Sequence, residues 1–162
     1  MINGKHLLII SLAIGIIVAI SPLYASDISI MEVLNITPFS ENTVVNIDGI
    51  DFNIPKGYGE EIGGLTKDGE IRKLHGVDFI TFNHHYLNND SDSINIDIFY
   101  DEHKKSDLNM LSKDSGEVDK KIDGIDGLFL QEEGYCTFTY ILDGKTIMLT
   151  AKNETLISDI MI

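Results

Sequence analysis

Cysteine is nearly absent from this chain. Cys136 is the only one among 162 residues, so no disulfide can form within it. A lone thiol on the inward face of a strand is expected to be a small core hydrophobe. The neighbouring Glu132 and Glu133 argue against a reactive thiolate. Positive charge is scarce as well: 12 Lys and Arg stand against 26 acids, a formal charge of −14. Lys5 is the only charged side chain before Asp27, so loss of residues 1–25 would leave −15. Such a surface repels phosphate backbones and anionic lipid, which argues against nucleic acid as a partner. Catalytic signatures are missing too. There is no H-E-x-x-H, no helical H-x-x-x-H pair and no G-x-S-x-G. Gly57-Tyr58-Gly59 and Gly63-Gly64 lack the Gly-Lys-Ser/Thr ending of a phosphate loop.

What the chain does contain begins with an apolar N-terminus. Lys5 supplies a short positive start, and Leu7 to Ile20 runs about fourteen residues without a charge. Ser21-Pro22 breaks the run, and Leu23-Tyr24-Ala25 ends on a small residue. That is the form of an export signal, and the run is shorter than the roughly twenty residues of a spanning helix. Leu23 is a poor residue for the cleavage site, so a retained membrane anchor is the alternative. Either way the remainder is expected outside the cytoplasm, with the N-terminal segment as its membrane contact. No cysteine follows the run, which excludes a lipid-modified anchor.

Residues 26–42 read as a linker, stopped at Pro38, whose second half docks on the domain. Residues 43–162 read as one α+β domain. Hydrophobic residues make up 43% of the chain, and seven Phe with six Tyr provide for a packed core. Asp48-Gly49, Glu133-Gly134 and Asp143-Gly144 are two-residue hairpin turns between alternating apolar runs. In Tyr135–Leu142, Cys136, Phe138, Tyr140 and Leu142 share one face, with Thr137 and Thr139 on the other. Ile147, Leu149 and Ala151 repeat the pattern in the next strand. Val77–Leu87 and Ile94–Tyr100 form a central pair joined by the polar turn Asn88–Ser93. Lys105–Lys113 is predicted as a short helix. Asn153 is predicted to cap a final helix with Leu156, Ile157, Ile160 and Met161 as its apolar stripe. The fold expected is an antiparallel sheet of five to seven strands with that helix packed on one face.

The phrases "DGIDFNIPKGYGEE" and "GKTIMLTAKNETLISDI", with the N-terminal apolar segment, resemble small extracytoplasmic domains of methanogenic archaea. More loosely, the order resembles the Mog1/PsbP-like fold. The resemblance implies a sheet flanked by helices and an export address, and it carries over no functional residue.

Candidate chemistry is confined to histidine and acid. His75, His84, His85 and His103 lie among Asp78, Asp90, Asp92, Asp101 and Glu102. His84 and His85 are adjacent on a predicted strand and should point to opposite faces, which works against a metal site. Around Asn89–Ser93 the sequence departs from a calcium loop where ligands are required, with Ile94 at the fifth position counted from Asp90. No catalytic residue, metal or cofactor is therefore expected. Asn35, Asn89 and Asn153 each begin an acceptor tripeptide for glycosylation. The leading expectation is an exported, non-enzymatic binding or scaffold domain whose partner is a protein of the cell surface or envelope. The alternatives are a subunit of a membrane assembly and an extracytoplasmic metal-dependent enzyme.

Overall fold

The computed structural model describes residues 31, 34–61, 66–74, 77–101 and 116–162. Residues 1–25, most of the first half of the linker and the helix expected at 105–113 lie outside that set. Alternation and turn chemistry build the rest. The strands are β1 (Thr43–Ile47), β2 (Ile50–Ile54), β3 (Gly59–Glu60), β4 (Lys67–Leu74), β5 (Val77–Leu87) and β6 (Ser93–Asp101). They are followed by β7 (Val118–Ile122), β8 (Ile125–Glu132), β9 (Tyr135–Leu142), β10 (Lys145–Ala151) and the helix α1 (Glu154–Ile160). Three Asp-Gly turns share one geometry, with both residues at positive φ: Asp48 and Gly49 at 48° and 82°, Asp123 and Gly124 at 48° and 85°, Asp143 and Gly144 at 52° and 75°. This is the type I′ turn, whose twist matches that of the strands it joins, and glycine takes its second position without steric cost.

β1 and β2 pair only with each other among the named strands. The other eight form one antiparallel sheet in the order β3-β5-β6-β10-β9-β8-β7, with β4 beside β3 along the outer side of β5. The sequence expectation of five to seven strands is therefore corrected to eight in the main sheet. Two features hid the difference. β3 has only two residues, and Lys67-Asp68-Gly69, a run of turn-forming composition, is the start of β4. A bulge between Lys67 and Glu70 interrupts the ladder there, with Gly69 at φ 64°. In sequence, such a bulge carries the same residues as a turn.

The register gives the sheet two distinct faces. One cross-strand row runs His84, Ile96, Leu149, Phe138, Phe129, Val118. Ile96, Leu149 and Phe138 are fully buried in it. The row of the opposite face runs Asn83, Asp97, Met148, Thr139, Leu128, Asp119. The first face carries the core. Over it lie the β1–β2 hairpin, through Ile47, Ile50, Phe52 and Ile54, and α1, through Ile157 and Ile160. Asn153 caps α1 as expected, its side chain accepting from the Leu156 amide at 2.9 Å. An isolated bridge between Phe52 and Met161 ties the helix end to the hairpin.

One ion pair pins the hairpin turn to the sheet. Lys145 is 7% exposed, and its Nζ lies 2.7 Å from Asp48 Oδ2. It also donates to the Asp48 carbonyl. The end of the linker docks as expected: the Phe39 amide donates to Tyr58 O at 2.8 Å, and Phe39 O accepts from Gly57 at 3.0 Å. Ile36 packs with Met31 and Leu87 in a small cluster of its own.

Candidate functional site

Among the described residues, a gathering of titratable side chains lies where β3 and β4 share the edge of β5. β3 runs antiparallel to β5 with Glu60 opposite Tyr86, and the Glu61 amide donates to His85 O at 2.9 Å. Two adjacent acids are thereby set beside two adjacent histidines. Side chains alternate along a strand, so the four divide into one pair on each face.

On the core face, His84 Nδ1 lies 2.6 Å from Glu60 Oε1 and Nε2 lies 2.8 Å from Asp68 Oδ1. The bulge in β4 is what brings Asp68 across to β5. The His84 side chain is 11% exposed, Glu60 25% and Asp68 68%. The Tyr86 ring stacks on His84 at 6.5 Å between centroids. Burial raises the Tyr86 phenol above its ordinary range, and the carboxylates of Glu60 and Asp68 add to that. On the opposite face, His85 Nδ1 lies 3.7 Å from Glu61 Oε2. Burial lowers His85, with Glu61 opposing the shift.

Asp97 forms a second polar group on the opposite face. Asn83 Nδ2 donates to Asp97 Oδ1 at 2.5 Å, and Arg72 donates to Asn83 Oδ1 at 3.4 Å and to Glu70 at 2.8 Å and 2.9 Å. Burial pushes the Asp97 carboxyl up to about 6, against the opposing pull of Asn83, Arg72 and His84. Its folded value exceeds the unfolded 3.8, so the folded protein takes up this proton first as the pH falls. The ionised carboxylate therefore costs stability at neutral pH, and that cost disappears between about 6 and 3.8. Asp97→Asn keeps an acceptor for Asn83 and should raise stability at pH 7–8 by roughly 1–3 kcal/mol. Urea midpoints across pH 4–8 check it: the variant should lose the slope that the wild type shows between pH 4 and 6. Identical slopes would show that Asp97 does not titrate there.

Two of the acids expected near the histidines pair elsewhere. Asp78 pairs with Lys73 at 3.6 Å, and Asp92 with Lys152 at 2.9 Å. The Asn89–Ser93 stretch is a hairpin turn in which Asn88 Oδ1 accepts from the amides of Asp90 and Asp92 at 3.0 Å and 2.9 Å. His75, His103 and Glu102 lie outside the described residues. Opposite placement of His84 and His85 holds. The acids they meet, Glu60, Glu61 and Asp68, come from a Gly-rich stretch and were not among the candidate residues of the sequence. Among the described residues no three His, Cys, Asp or Glu side chains are arranged to hold a metal ion. Cys136 is fully buried, and burial pushes its thiol up to about 11. Asn35, Asn89 and Asn153 are all exposed, although Asn153 also serves as the cap of α1.

Among the described residues no helix is long and apolar enough to cross a membrane. Comparison of the chain with protein-family models, curated proteins and solved structures finds no match.

Proposed function

We propose that the chain is a non-enzymatic binding or scaffold domain held outside the cytoplasm, with residues 1–25 as its export signal or membrane tether. The observation that supports the non-catalytic part is how His84 and Cys136, among the described residues, are engaged. While both contacts hold, His84 meets a carboxylate at each ring nitrogen, at 2.6 Å and 2.8 Å, and neither nitrogen faces a substrate. Cys136, the one thiol, is buried and held in its protonated form. General-base and nucleophilic chemistry both need such a group free and facing a bound molecule. The address rests on Leu7–Ile20 and the break at Ser21-Pro22. The resemblance to small extracytoplasmic domains and the Mog1/PsbP-like order supports the same reading.

The test is topological. On intact cells expressing the full chain, an impermeant amine label should reach lysines of the domain. Deleting residues 1–25 should abolish that labelling and leave a soluble protein with a strand-rich circular dichroism spectrum. Labelling of the full chain only after lysis would overturn the address. Aggregation of the shortened chain would overturn the placement of the domain boundary.

A further inference from the structure

His84 is the one imidazole in the described structure with a carboxylate oxygen inside hydrogen-bond distance of both nitrogens, at 2.6 Å and 2.8 Å. An ionised carboxylate only accepts hydrogen bonds, whereas a neutral imidazole has one N–H and one lone pair. Neutral His84 can satisfy Glu60 or Asp68 but not both, since the second carboxylate would face a lone pair. The doubly protonated ring satisfies both. Its two partners belong to different strands, Glu60 to β3 and Asp68 to β4, and neither strand is joined to the other by a ladder. We propose that His84 is a proton-operated clamp: the imidazolium bridges β3 and β4 across the edge of β5, and loss of one proton releases the Asp68 side.

The geometry sets the order of release. Asp68 is 68% exposed and sits in the bulge, so water can replace the ring as its partner, whereas Glu60 is 25% exposed. The remaining charged and titratable groups around the ring act on the same equilibrium. Tyr86 stacks on it from β5, and its phenol stays protonated because burial raises it. Asp97 of β6 interacts electrostatically with His84 through the sheet, and Arg72 of β4 is bonded to Glu70 and Asn83 on the other face. His85 and Glu61 occupy the other face, where burial disfavours a second imidazolium. The clamp is closed while the ring holds both protons and opens as the pH rises. Its sensitivity is confined to one edge of the sheet, because the row inward from His84 is Ile96, Leu149 and Phe138, with nothing to titrate.

The experiment is a long-range proton–nitrogen NMR titration of the histidine rings in the full chain, in mild detergent, from pH 5 to 9. Wild type is compared with Asp68→Asn and Glu60→Gln. Both His84 nitrogens should carry protons at the acid end. Each variant should weaken proton binding at His84 about tenfold or more, moving its titration down by about one pH unit. Amide exchange over Lys67–Glu70, corrected for its intrinsic pH dependence, should quicken in step with that titration in the wild type. An unchanged titration in either variant would overturn the bridge, since the contact would then be a single pair. A His84 ring that is neutral at pH 5, or a β4 whose exchange ignores the titration, would overturn it as well.

Discussion

Phe138→Ala is expected to remove roughly 3–5 kcal/mol of stability, the cost of emptying a fully buried aromatic site. Phe138 is 0% exposed, and its ring lies 5.5 Å from that of Tyr140. It sits in the centre of the cross-strand row between Leu149 and Phe129, in one core cluster with residues of α1 and the β1–β2 hairpin. Domains of this size are stable by only about 5–15 kcal/mol in total, so the variant should be near its unfolding threshold. Thr139→Ala is the control. Thr139 is also little exposed, at 9%, but it points to the other face, beside Met148 and Leu128. It removes a methyl and a hydroxyl and should cost about 1 kcal/mol. Urea unfolding of the two variants decides the matter: equal losses would contradict the assignment of the core to the Phe138 face.

Gly127→Ala should be nearly as damaging, for the opposite reason. A Cβ at residue 127 would stand 2.5 Å from Cε2 and 2.6 Å from Cζ of Phe138, and 2.6 Å from the Thr139 carbonyl oxygen. The Phe138 ring occupies the space that the missing side chain leaves. A ring can tilt a little, but the carbonyl belongs to the β8–β9 ladder and moves only if the ladder moves. Overpacking of this kind typically costs 1–3 kcal/mol, and backbone contact places this site at about 3 kcal/mol or above. Adding Phe138→Leu should recover only part of the loss, because the carbonyl contact stays. A neutral Gly127→Ala in the same urea assay would mean that β8 and β9 are less closely packed than the register requires.

Most of the fold was legible because short-range chemistry determines it. Asp-Gly turns mark hairpins whatever lies around them, and Asn153 with the stripe Leu156, Ile157, Ile160 marks the last helix. Alternation placed Phe138 and Leu149 inside. Strand order was another matter. β10 lies between β6 and β9, and alternation says which face a residue takes but not which strand becomes its neighbour. The same limit hid the candidate site. Glu60-Glu61 and His84-His85 are visible as doublets, yet their meeting depends on β3 pairing with the last two residues of β5. One sign was available: β5 has eleven residues and β6 only nine, leaving a long second edge that needs partners of its own.

In the proposed reading, the imidazole–carboxylate cluster at this edge holds the sheet together. Groups retained for chemistry commonly cost stability, whereas groups retained for structure supply it. The measurement is the unfolding free energy of His84→Gln against wild type at pH 5.5 and pH 8.5. Replacing a partly buried, charge-assisted pair of contacts should cost roughly 1–3 kcal/mol at the lower pH and less at the higher, because only the doubly protonated ring satisfies both carboxylates. A variant as stable as wild type at pH 5.5, or more stable, would contradict the account.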